Sequence, residues 1–172
     1  MKKKQPPQLS RAKYLKTKVR TLPIYKCYIN SFWILTSLAC VIVTRQHPNG
    51  NFALGVYFID TYNKGLYNSN MTFNQTKEEL EDFKEHMVSK NDKQFMLIEI
   101  DYGLAHNIIY GGYDFAKSKG YLADKFFEFS KYILEENNGT IEYIEINFGK
   151  NEHRDKIVKD NNGEDTYIKG IA

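Results

Sequence analysis

The chain reads as one α+β domain: a central, mostly antiparallel sheet containing a long β-hairpin, packed by about three helices. Two β-rich runs flank an Asn-Gly turn, a capping box opens a helix at Thr76, and Gly103–Lys119 has helical periodicity and ends at a glycine. The 172 residues are 42% apolar and 26% charged, with 11 Gly, 4 Pro and 2 Cys, which excludes collagen-like, disordered and disulfide-scaffold classes. Such a length is enough to bury a sizeable core.

Residues 1–8 hold Lys2, Lys3, Lys4, Pro6 and Pro7 and little to bury, so they read as a disordered basic arm. Ser10–Arg20 reads as a short helix capped by Ser10, with Leu9, Tyr14 and Leu15 on its apolar side. Pro23 ends it, and Ile24–Ile29 follows as a strand. Leu35–Arg45 and Asn51–Asp60 form the hairpin around Gln46-His47-Pro48-Asn49-Gly50. Phe52, Leu54, Val56 and Phe58 alternate with Ala53, Gly55, Tyr57 and Ile59, so both faces are apolar and the hairpin belongs in the middle of a covered sheet.

Asn63–Asn74 is Asn-rich and reads as irregular. Thr76 and Glu79 form a capping box for a helix to about Ser89, with Leu80, Phe83 and Met87 in one stripe. Phe95–Ile100 reads as a strand. The Gly103–Lys119 helix has its core stripe at Leu104, Ile108, Gly111 or Gly112, and Phe115, and its glycines suggest close packing. Asp124–Glu136 reads as a further helix, with strand as the alternative, and Ile141–Phe148 alternates like a strand. Residues 9–149 are therefore the domain, and 150–172 a polar tail of loop character.

The longest apolar run, Phe32–Val43, spans twelve residues with Thr36 and Ser37 inside it, short of the ~20 a membrane helix needs. No basic region leads directly into a signal-like apolar stretch, so a cytoplasmic location is expected, with no membrane partner. Cys27 and Cys40 form no C-x-x-C pair and read as small core residues.

The net charge of +3 averages two unlike parts. Residues 1–59 carry 10 Lys and Arg and no acid, whereas 60–172 carry the other 14 bases against all 21 acids, giving +10 and −7. Lys13, Lys16, Lys18 and Arg20 fall on the first helix, with Tyr14, Tyr25 and Tyr28 interleaved nearby. Such a basic surface suits phosphate backbones through counterion release, and the tyrosines suit base stacking. Arg45 and His47, at the hairpin tip, would extend it. A solubilising tail, or an arm docked on a protein partner, on a second copy or on the chain's own acidic part, is the alternative.

A second constellation lies on the long helix. His106, Tyr110 and Tyr113 share one face, and Glu99 and Asp101 arrive just before it. A histidine with two carboxylates can bind a divalent metal or perform acid–base work, and Tyr110 could donate to an oxyanion. A histidine among tyrosines on a helix is more often an interior group with its hydrogen bonds satisfied. No H-E-x-x-H, P-loop or G-x-S-x-G pattern occurs, nothing places an imidazole beside either cysteine, and Gly111-Gly112 does not open a helix as a phosphate loop would. No cofactor is expected.

From Ala12 to about Gly149 the chain resembles a family of uncharacterised bacterial proteins with no assigned activity. The resemblance rests on Lys13–Lys18, Leu22–Cys27, Leu38–Asn51, His106–Gly112, Lys131–Glu136 and Phe148–Lys150. The family tends to carry a Cys-Leu-Gly stretch and a Lys-Asp pair after the position of Asp60, where this chain has Tyr62-Asn63-Lys64-Gly65-Leu66-Tyr67. The resemblance implies a bacterial or phage-like accessory protein and supplies no mechanism. The reading that follows is a non-enzymatic nucleic-acid-binding or ribonucleoprotein-associated protein. A metal-dependent hydrolase or nuclease centred on His106, or a protein–protein adaptor, is the alternative.

Overall fold

A computed structural model describes residues 11–88, 96–121, 124–149, 157–159 and 165–167. The expected arm at 1–8 and the Ser10 cap lie outside them. The hairpin organises the rest: β2 (Leu38–Gln46) pairs with β3 (Phe52–Asp60) in unbroken register from Leu38↔Asp60 to Gln46↔Phe52. The turn closes with the Gly50 amide on the His47 carbonyl and the His47 amide on the Asn51 carbonyl, and Gly50 takes φ +86°, which an L side chain resists. β1 (Ile24–Asn30), β4 (Gly65–Gln75) and β5 (Leu97–Ile100) complete an antiparallel sheet in the order β4-β3-β2-β1-β5. The hairpin is thus interior to the sheet, and nearly every residue of its strands is buried.

Side-chain alternation sends the two faces to different covers. Val41, Val43, Tyr57 and Ile59 join α4 (Tyr102–Ser118) and α1 (Arg11–Thr17) in the main core, with Leu15 from α1 and Val19 from the 3-10 turn after it. Ile42, Leu54 and Val56 face α3 (Lys77–Met87), which supplies Leu80, Phe83 and Met87 as its stripe predicts. The Thr76–Glu79 capping box is formed in both directions.

Several expectations are corrected. β2 starts at Leu38, because the one-turn helix α2 (Trp33–Thr36) and Ser37, at φ 59°, occupy the beginning of the apolar run. Asn30 bridges the excursion, its amide donating to the Leu38 carbonyl and its oxygen accepting the Cys40 amide. Asn63–Asn74 is mostly edge strand: β4 pairs along β3 with two register shifts, and Asn68, Asn70 and Asn74 project at the exposed rim. Asn propensity loses there to the ladder and to a close seat on α4, where a Cβ on Gly65 would strike the Ala116 amide at 2.6 Å.

On α4 the buried stripe is Ala105, Ile108, Ile109, Gly112 and Ala116 with His106, so small residues face the sheet and Leu104 and Phe115 lie at the flank. The expected helix over 124–136 shrinks to α5 (Phe127–Ser130) and a 3-10 turn (Lys131–Ile133). Ile141–Phe148 forms no ladder. Asn107 of α4 ties it down, donating to the Glu142 carbonyl and accepting the Ile144 amide, while Phe148 stacks on Phe115 over Gly111. In the tail, β6 (Ile157–Lys159) pairs with β7 (Asp165–Tyr167), where loop was expected. No helix among the described residues is long and apolar enough to cross a membrane.

Candidate functional site

Arg45 was expected at an exposed tip, and this placement is corrected. It sits in the last turn of β2 before the tip, is 1% exposed, and is among the largest fully buried side chains. Its guanidinium donates from Nε to the Ile133 carbonyl (2.6 Å), from Nη1 to the carbonyls of Arg20 (2.9 Å) and Leu22, and from Nη2 to Glu135 Oε1 (2.6 Å). A planar five-donor group is what this set of divergent acceptors requires.

Arg20 is spent in the same region. It donates to the Leu134 and Lys131 carbonyls, pairs with Glu136 at 2.5 Å, and lies over the Tyr132 ring. Both arginines thus clamp 131–136, and Lys26 pairs with Glu99 at 2.5 Å on the far side of the sheet's centre. Part of the basic half therefore meets the chain's own acids.

The α4 constellation serves this clamp. The Glu135 amide donates to Tyr102 Oη (2.7 Å), and the Glu135 carbonyl accepts Tyr110 Oη (3.2 Å) and faces His106 Nε2 (3.3 Å). A carbonyl only accepts, so the last bond selects the Nε2–H tautomer of His106. Burial lowers the His106 pKa, which keeps the ring neutral, and pushes the Tyr110 phenol up to about 12, which keeps it a donor. His106 is 2% exposed, the interior arrangement that the sequence offered as its commoner reading.

Glu99, Asp101 and His106 are not brought together. Asp101 accepts the Gly103 amide as the N-cap of α4, and Glu99 holds Lys26. The two carboxylates line an open 590 Å³ cleft with Lys26 and Tyr102, whereas His106, Tyr110 and Asp114 line a separate cavity of 130 Å³ beneath 137–148. The second is below the ~300 Å³ at which ligand pockets begin. No group of three His, Cys, Asp or Glu that could hold a metal occurs among the described residues.

What stays at the surface is α1. Lys13, Lys16 and Lys18 are exposed. Tyr14, between them, reaches the hairpin tip: its hydroxyl is 3.1 Å from His47 Nδ1, the two rings stack at 6.2 Å, and Phe73 of β4 meets Tyr14 edge-on. The expected ligand contact at His47 is corrected, because its Nδ1 faces Tyr14 and its Nε2 is buried; the tip beside α1 presents exposed Pro48, Asn49 and Gly50 instead. Of the expected stacking tyrosines, Tyr28 is buried and Tyr14 is held by His47, whereas Tyr25 packs on Phe52 at 4.8 Å and stays 40% exposed. Sequence reasoning missed Glu135 as the anchor of the clamp, and Phe126 and Phe129 as exposed rings. Aromatic density at 126–129 was the available signal.

No protein-family model matches this chain, and no curated protein or solved structure shows significant similarity to it.

Proposed function

We propose that this protein is a non-enzymatic nucleic-acid-binding or ribonucleoprotein-associated protein whose phosphate-gripping surface is α1 with Lys18 just after it, seated against the hairpin tip. The observation that carries the reading is that Lys13, Lys16 and Lys18 are exposed on a segment without an acid, which the Tyr14–His47 contact fixes against the hairpin tip. Arg20 and Arg45 leave the contact set, because their donors are occupied within the fold.

Polarity across the sheet supports the same reading. α1 carries no acid, whereas α3, on the opposite face, carries Glu78, Glu79, Glu81, Asp82 and Glu85 against two lysines. A polyanion is thus drawn to one face and repelled from the other. The reading accords with the accessory role that the resemblance implies.

The test is binding of labelled RNA and DNA oligonucleotides at about 50 mM salt. Binding that weakens when Lys13, Lys16 and Lys18 are replaced together by alanine supports the proposal. No binding to either polymer, or binding indifferent to the three replacements, rejects it.

A further inference from the structure

Two large rings, one at the N-cap of α5 and one within it, face solvent. Phe126 and Phe129 are 63% and 47% exposed, three residues apart on one turn whose Phe129 amide donates to the Phe126 carbonyl. The turn itself is held firmly. Phe127 is buried between Tyr57, Tyr110 and Tyr113, Tyr57 Oη donates to the Ser130 carbonyl at 2.8 Å, and Ser130 Oγ donates to Ser69. Asp124 caps the turn's start through the Phe126 amide and accepts Ser69 Oγ at 2.5 Å. The exposed rings are thus presented from a rigid base rather than from a frayed segment.

Their position relates them to α1. α5 is bonded to Ser69 of β4, and Tyr14 of α1 packs on Phe73 of the same strand. Four strand residues separate these attachments, about 13 Å, and both helices lie on the α4 side of the sheet. Arg20 closes the gap by bonding the Lys131 carbonyl just after α5. The surroundings are basic: 117–131 holds Lys117, Lys119, Lys125 and Lys131, and its two acids are engaged, Asp124 with Ser69 and Glu128 with Lys131. Lys131 has Glu128 as its countercharge, but Lys117, Lys119 and Lys125 make no ion pair among the described residues. An apolar protein partner would leave these three uncompensated, whereas a strand with phosphates and unpaired bases answers both features.

We infer that Phe126 and Phe129 form a stacking platform that continues the α1 surface and makes single-stranded nucleic acid the ligand class. This rests on the proposed function, adding bases to the phosphates already assigned. In a duplex the base faces are hidden, so the rings gain nothing from it, and the lysines serve both forms alike.

The experiment titrates the full chain with a labelled pyrimidine single strand of roughly 12 nucleotides and with a duplex of equal length, read by fluorescence anisotropy. The single strand is expected to bind more tightly. Phe126→Ala and Phe129→Ala should each weaken it by roughly 10-fold while leaving the duplex and the salt dependence unchanged. Phe126→Leu and Phe129→Leu, which keep apolar bulk without an aromatic face, should weaken single-strand binding as well, and they keep the test intact if an alanine variant fails to fold by circular dichroism. Single-strand affinity unchanged in all four variants, with the lysine replacements still effective, overturns the platform and leaves the phosphate reading standing. Loss of self-association in the alanine variants without loss of oligonucleotide affinity overturns it too. Absence of binding to both forms overturns both proposals.

Discussion

Arg45 Nη2 stands 2.6 Å from Glu135 Oε1, and this ion pair joins the central hairpin to a segment ninety residues downstream. Around it, Arg20 grips Glu136, and Tyr102, Tyr110 and His106 close on the Glu135 backbone. The cluster that looked most like chemistry in the sequence is therefore a structural knot, and its removal should be felt as lost stability.

Replacing Arg45 by alanine leaves three carbonyls and a carboxylate without their donor. The expected loss is about 3 kcal/mol, read as a lower urea midpoint with little change in slope. Arg45→Lys should recover little of it, because one ammonium cannot reach acceptors spread around a guanidinium. A lysine variant of wild-type stability would contradict the knot.

Thr76→Ala removes the acceptor of the Glu79 amide and half of a reciprocal cap. The expected cost is about 1 kcal/mol, and Thr76→Ser should restore most of it. Thermal unfolding followed at 222 nm measures both.

Acid should weaken the fold through its histidines. Burial lowers the pKa of both His106 and His47 below the ordinary 6.5, so the unfolded chain binds protons that the folded chain refuses. Stability is then retained above the ordinary histidine value and falls as pH drops below it toward the lowered folded values. Denaturant midpoints between pH 7.5 and 5.5 should decline in the wild type and decline less in His106→Gln, which keeps a donor for the Glu135 carbonyl. An equal decline in both would remove His106 from the account.

The thiols should be inert. Burial raises Cys27 and Cys40 to about 12, so almost no thiolate exists at pH 8. Alkylation by iodoacetamide should reach both only after unfolding in urea, counted by mass spectrometry; rapid labelling of the native chain would contradict their burial.

The hairpin, the capping box and the long helix were legible in the sequence because their signals are local: Asn49-Gly50, Thr76 with Glu79, and a 3.6-residue period ending at Gly120. β4 was hidden because Asn68, Asn70 and Asn74 mimic a loop, while its real determinants are the ladder with β3 and the seat of Gly65 on α4. The strand expected at Ile141–Phe148 failed for the converse reason, since alternation without a partner strand makes no ladder, and Asn107 fixes the segment instead.

The basic residues divide in the same way. Lys13, Lys16 and Lys18 were readable as members of a basic segment with few apolar residues, and all three are exposed. Arg20 and Arg45 were not readable as interior, since most of their acceptors lie 88 to 116 positions away in sequence. Among the described residues the +10 and −7 halves meet at the ion pairs Arg20–Glu136, Lys26–Glu99 and Arg45–Glu135, and Lys13, Lys16 and Lys18 are exposed.

The central claim is that these lysines hold phosphates, and the salt dependence of oligonucleotide affinity tests it most directly. The logarithm of affinity should fall linearly with the logarithm of salt, and replacing Lys13, Lys16 and Lys18 by alanine should flatten that slope by about 2 to 3. A slope identical in the wild type and the triple variant, or no measurable affinity at low salt, would contradict it.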